Sequence, residues 1–142
     1  YCSLVGGDIP TRPAPQTSDE VYRECQRYFQ KSFLPDTAPA QNAGLNTGES
    51  YGSIVNTAAG LNYNPIIRFP TPVRADPTVA FYNPVVANAL VRNVISNVDQ
   101  ANSDVAPSSK TINGFVVRAT RNGNTGDLLA LHWVADARFG VV

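Results

Sequence analysis

The sequence predicts a mainly β protein: an antiparallel β-sandwich, jelly-roll-like, with one short helix near the N-terminus. Three observations lead there. Short runs rich in Val, Ile, Phe and Thr recur between turn residues, with 11 prolines and 10 glycines punctuating 142 residues, as strands bounded by breakers do. Only one stretch carries helix signals. There is no internal repeat or heptad, and the length suits one domain with a single core.

Taken in order, residues 1–16 read as the end of an upstream strand, "YCSLVGG", followed by a proline-rich link, and residues 17–142 as one β-sandwich domain. Methionine is absent, and this opening favours further chain upstream. Thr17-Ser18-Asp19-Glu20 is a helix start, with a hydroxyl cap, a glutamate three residues on and acids in the first turn. Val21, Cys25 and Phe29, with Tyr22, form a helical stripe. "YFQKSF" then alternates like a strand, so "ECQRYFQKSF" is a helix-to-strand corner with Cys25 and Phe29 expected in the core. Residues 34–50 are a long loop by composition.

The remainder reads as β, giving about six strands in all. "YGSIVNTA" and "NPIIRFP" are short strands. Prolines 72, 77 and 84 bound a strand over Thr78 to Tyr82. "ALVRNVISNV" alternates poorly and is compatible with helix, but its β-branched residues favour a strand. "INGFVVRATRNGNTGDLLALHWVADARF" predicts a hairpin about Asn122-Gly123, whose positive-φ turn chemistry suits one. In its second half Leu129, Leu131, Trp133 and Ala135 share one face and Leu128, Ala130, His132 and Val134 the other. Both faces are mostly apolar, so an interior strand is expected, covered by a second sheet and by the helix or a neighbouring subunit.

Composition narrows the function. Charged residues make up 15% of the chain and the formal net charge is zero, against roughly 25% charged in ordinary soluble domains. That leaves no basic surplus for nucleic acid and suggests a surface partly covered by neighbours. No apolar run approaches the roughly 18 residues of a membrane-spanning helix, so no membrane insertion is expected.

Candidate chemistry is sparse. His132, the single histidine, sits in a strand beside Trp133 with no evident partner, and reads as structural. Ser32, Ser53 and Ser96 lack a nucleophile elbow. A final hairpin leaves room for Asp127 and Asp136 to approach one another, but no defined gap between carboxylates can be read. Arg23, Arg27 and Lys31 form a basic edge at i, i+4 and i+8, best read as a solvated face. Cys2 and Cys25 are compatible with one disulfide, but two free, buried thiols are favoured; no zinc spacing exists. No cofactor, metal or enzymatic activity is expected. Tyr51 and Tyr63 are candidate aromatics for stacking on sugar rings or packing on another subunit.

"ECQRYFQKSF", "RFPTPVRADPTVAFYNP", "TINGFVV" and "GDLLALHWVADARF" together resemble the C-terminal region of tailed-bacteriophage and prophage virion proteins: tail-fibre, baseplate or capsid-appendage parts. The pattern is a Cys-Gln-Arg-Tyr-aromatic helix end (Cys25, Arg27, Tyr28 and Phe29), an Arg-Ala-x-Pro-Thr-Val strand at 74–79 and a His-Trp-x-Ala-Asp-Ala strand at 132–137, in that order. Ser3 and Leu4 stand where the family pattern has Leu-Glu. The resemblance implies a structural module serving assembly, with host attachment as an accompanying role. It implies a homotrimer among other virion proteins, located in the virion and assembled in host cytoplasm, where structural disulfides are rare, so Cys2 and Cys25 stay unpaired. It carries over no catalytic residues. The alternatives are a carbohydrate-binding adhesin with a host surface glycan as partner, and a capsid decoration protein.

Overall fold

A computed structural model describes residues 15–53, 65–106, 109–120 and 124–138. Cys2, Tyr63 and the Asn122-Gly123 turn lie outside them. The described residues form one helix and nine strands, α1 (Ser18–Gln26), β1 (Phe29–Lys31), β2 (Ser50–Ser53), β3 (Ile66–Arg68), β4 (Thr78–Tyr82), β5 (Arg92–Asn93), β6 (Val98–Asp99), β7 (Ala101–Val105), β8 (Gly114–Thr120) and β9 (Leu128–Asp136). They build two antiparallel sheets, one of six strands centred on β9 and one of three in the order β3-β8-β7. The expected mainly β sandwich with a short N-terminal helix is the fold observed.

β9 organises the larger sheet because it is long enough to serve several short partners. Its second half pairs with β1 (Phe29 opposite Asp136) and with β4 (Phe81 opposite Trp133). Its first half pairs with β2 (Ser50 opposite Leu131) and β5 (Arg92 opposite Ala130). Alternation sends Leu129, Leu131, Trp133 and Ala135 into the space between the sheets, where they meet Ile67, Phe69, Phe81, Phe115 and Val117. Phe115 stands edge-on to Trp133, 5.5 Å between ring centres at 82°, and Phe69 lies 5.7 Å from the same ring. Such tilted contacts add to the burial of large aromatic area.

Several local expectations change. The final hairpin is not one: β8 belongs to the smaller sheet and β9 to the larger, so the connection crosses the sandwich and lets each strand line the core from its own side. Asp127 and Asp136 therefore do not approach; they flank opposite ends of β9, on the order of 30 Å apart at the usual strand rise. "ALVRNVISNV" folds as β5 and β6 about a turn. There the Asn93 Oδ1 accepts the Ile95 and Ser96 N–H groups, each at 3.0 Å, and Asn97 takes φ 56°. β7, "ANSDV", is a strand that its polar composition conceals; it holds β8 partly through the Asp104–Arg118 ion pair, 2.5 Å.

The helix does not cover the second face of β9. The segment from Ser32 to Glu49 lies over it, with Phe33 stacked on His132 at 4.1 Å and 9°. Gly48 permits the close approach: at φ +101° it sits where a Cβ would fall 2.3 Å from the Ser32 carbonyl oxygen. α1 buries no residue at all. Its stability comes from its ends, through the expected capping box, in which Thr17 N–H donates to Glu20 Oε2 (2.7 Å) and Glu20 N–H to Thr17 Oγ1 (3.3 Å).

Candidate functional site

Among the described residues, potentially reactive side chains converge around His132. β9 presents the ring on the face opposite Trp133, and the covering segment brings Ser32, Thr47 and Glu49 to it. Ser32 Oγ lies 3.1 Å from Nδ1 and Thr47 Oγ1 lies 2.9 Å from Nε2; a Glu49 oxygen is 3.8 Å from Nε2. A serine, a histidine and an acid in mutual reach have the outline of a nucleophilic triad.

The hydrogen bonds assign this group a different task. The Thr47 hydroxyl donates to the Gly44 carbonyl at 3.0 Å, so its oxygen accepts from His132 and the ring proton resides on Nε2. Nδ1 then accepts from the Ser32 hydroxyl, whose oxygen also accepts the Trp133 N–H at 3.0 Å. The imidazole is completely buried. Burial is the main reason its pKa lies below the usual value, with the Glu49 charge opposing. Glu49 does not depend on an imidazolium either. Burial pushes its carboxyl up, but the Tyr51 hydroxyl and the N–H groups of Asn46 (2.6 Å) and Thr47 (2.9 Å) together hold it below the ordinary range. A neutral, solvent-sealed ring with both nitrogens satisfied joins the covering segment to β9.

The other singled-out residues separate. Tyr51, on β2, is 46% exposed, but its hydroxyl is committed to Glu49, which raises its pKa. Its ring alone faces outward. Cys25 is exposed on α1 and Phe29 is half-buried, so the expectation that both sit in the core is wrong. The helix lies at the periphery, where its stripe meets only the edge of the larger sheet. Arg27 is also exposed, and the basic edge ends with it. Lys31 has left the helix for β1 and donates to the Pro35 (2.9 Å) and Thr37 (2.8 Å) carbonyls.

What the corner does is done by backbone and by glutamines. Arg74 N–H donates to the Arg27 carbonyl and Ala137 N–H to the Tyr28 carbonyl, both at 2.8 Å. The Arg74 guanidinium lies 5.3 Å over the Tyr28 ring and its Nε donates to the Ala137 carbonyl at 3.3 Å. Gln30 Nε2 bridges the Gln26 (2.9 Å) and Thr71 (2.6 Å) carbonyls. The segments 25–29, 74–79 and 132–137, far apart in the chain, thus meet at one knot.

Sequence reasoning missed Gln30, Thr47, Glu49 and a second polar centre. In the latter, buried Asn83 donates to Asn88 and Asp99, both at 2.9 Å, while Arg92 pairs with Asp99 at 3.0 Å. Nothing short of the long-range pairing could have joined these residues. Comparison with family models, with curated proteins and with solved structures finds no match.

Proposed function

We propose that this chain is a structural module of a bacteriophage virion, part of a tail fibre or another appendage, that works by assembling into a homotrimer and is not an enzyme. One observation carries the reading: three of the four segments that give the sequence its resemblance to virion proteins, all but "TINGFVV" in β8, converge on a single corner. There their groups are spent on joining α1, β1, β4 and the end of β9. Motifs used in this way specify architecture. The sealed state of His132 points the same way, since it removes the best-placed general base from any substrate.

The surface supports assembly. On a chain of zero net charge, Ile66 on β3 is 62% exposed and Ile95, at the β5–β6 turn, 63%. Large aliphatic groups at a strand edge and a turn tip gain by burial against another copy, and closed rings are the default arrangement of repeated subunits. Light scattering at micromolar concentration tests this. A mass of three chains is expected, falling toward one chain in Ile66→Glu; a stable monomer of the unaltered protein over that range defeats the proposal.

A further inference from the structure

Among the described residues the sandwich is open between β4 and β7. A groove of about 560 Å³ lies there, bordered by Thr78, Val79 and Phe81 on one side and by Val105, Ala106 and Lys110 on the other. The direction of the β4 backbone along it follows from its neighbours. Trp133 donates its N–H to Ser32 Oγ and accepts the Ser32 N–H, both at 3.0 Å, so its backbone groups point away from β4. Phe81 stands opposite Trp133 and therefore turns its own N–H and C=O outward; the Gln41 Nε2 that reaches its carbonyl at 3.1 Å agrees. Alternation makes Val79 do the same. Gln41 occupies the Phe81 carbonyl, but the Phe81 N–H and both polar groups of the Val79 backbone have no partner among the described residues. A strand edge in this condition is a template for another strand.

The rest of the groove describes that strand. Val79 and Val105 are half-buried and pack on the core from its two lips, so the entering strand must turn apolar side chains inward. β7 is the poorer receiving edge, because its register shifts between Ala101 and Asp104, and irregular edges discourage pairing. Charge comes from the far side. Asp104 is taken by Arg118, whereas the Lys110 ammonium is exposed and has no partner among the described residues. We propose that the outer edge of β4 is a docking site for an extended, acidic peptide segment of a partner protein. The segment adds antiparallel to β4, with one residue exchanging both backbone hydrogen bonds with Val79 and a carboxylate at Lys110. In that register the residues whose amides face β4 are also those whose side chains enter the groove, so the segment is apolar at alternate positions. This goes beyond the assembly reading and does not depend on it.

Isothermal titration tests it with the acetylated, amidated peptide Glu-Thr-Val-Thr-Val-Thr-Glu and with the version carrying lysine in place of both glutamates. The acidic peptide is expected to bind saturably and about fivefold more tightly than the basic one, the scale of an exposed ion pair. Lys110→Glu should reverse that preference. N-methylation of the two valines should weaken binding about tenfold or more, whereas N-methylation of the threonines, whose amides face away from β4, should change it by less than about threefold. That contrast leaves the protein unaltered, so no failure of folding can imitate it. Val79→Pro should repeat the loss from the protein's side, because the N–H it removes takes no part in the β4–β9 ladder. No saturable binding through the millimolar range overturns the inference, as do equal losses for the two methylation patterns, a preference that survives Lys110→Glu, or full binding by a folded Val79→Pro. A light-scattering mass that falls in Lys110→Glu with no peptide present would give the edge to a second copy of the chain, and overturns it too.

Discussion

From Leu129 to Ala135 both faces of β9 are buried, and around Trp133 and His132 they are chemically opposite. One sends Leu129, Leu131, Trp133 and Ala135 between the sheets, where Trp133 needs a single polar partner, the Ser50 Oγ that accepts its Nε1–H at 2.9 Å. The other holds His132 in a set of hydrogen bonds contributed by a segment without regular structure. The first face is held by apolar area, which tolerates small shifts. The second is held by a few directional bonds in a water-free place, where each lost partner strands another group. One strand thus anchors a sheet-to-sheet core on one side and fastens a long covering loop on the other.

The contrast breaks first at Trp133. Replacing it with alanine removes the ring that Phe69 and Phe115 pack against and should cost about 3–5 kcal/mol, a large share of a small domain's stability. Urea unfolding gives the number directly, and insoluble protein is an acceptable version of the same result. If Trp133→Ala unfolds at nearly the unaltered midpoint, the core between the sheets is not what holds the fold together.

His132→Ala should cost less, about 2–3 kcal/mol, because the area lost is smaller but the Ser32 and Thr47 hydroxyls lose their common partner. Its loss should also be local. Proteolysis is expected to cut within the covering segment, residues 34–49, well before the sandwich opens. A uniform, cooperative loss with no early cut would show that the two faces act as one.

Acid gives a gentler probe of the same face. His132 has a folded-state pKa below its usual 6.5, so at neutral pH both folded and unfolded chains carry the neutral ring and its contribution is fully present. As pH falls below about 6.5 the unfolded chain takes up the proton first, and stability declines until the folded ring protonates too. Glu49 adds a second decline at lower pH, because its carboxyl is held below 4.5 when folded and protonates first in the unfolded chain. With a single histidine in the chain, stability measured between pH 7 and 5 isolates the first step. His132→Gln should flatten that interval; a slope that survives the substitution belongs to another group.

How much of this was legible beforehand follows from the range of each interaction. Thr78 to Tyr82 was readable as a strand because prolines bracket it, and α1 because Thr17 and Glu20 form a local cap. The interior position of β9 was readable because both of its alternating sets are mostly apolar. The partners of His132 were not, since Ser32 stands 100 residues away in the chain and Thr47 85, and nothing in "LPDTAPAQNAGLNTGES" marks it as a cover rather than a free loop. The crossing from β8 to β9 was misread as a hairpin because two alternating runs about an Asn-Gly look alike whether they pair with each other or with other strands. Gln30 was passed over because a glutamine within an alternating run reads as the outward residue, whereas here it is the inward one.

The smallest expected effect lies at the periphery, at Cys25. The stripe of Val21, Cys25 and Phe29 has helical spacing, yet α1 buries none of its own residues and the thiol faces solvent. Changing it to serine removes little buried area and strands no partner, so stability should move by less than about 0.5 kcal/mol, as surface substitutions usually do. The thiol should also react with a maleimide in the native protein about as fast as in the unfolded chain, while a buried one waits for unfolding. Both results would set α1 apart from the two faces of β9 as an appended element held by its cap and by the Gln26–Gln30–Thr71 bonds. A slow, unfolding-limited reaction together with a loss of 2 kcal/mol or so, the scale of a buried side chain, would instead place Cys25 in a contact that covers the helix, and the subunit interface of the proposed trimer would be the first place to look for it.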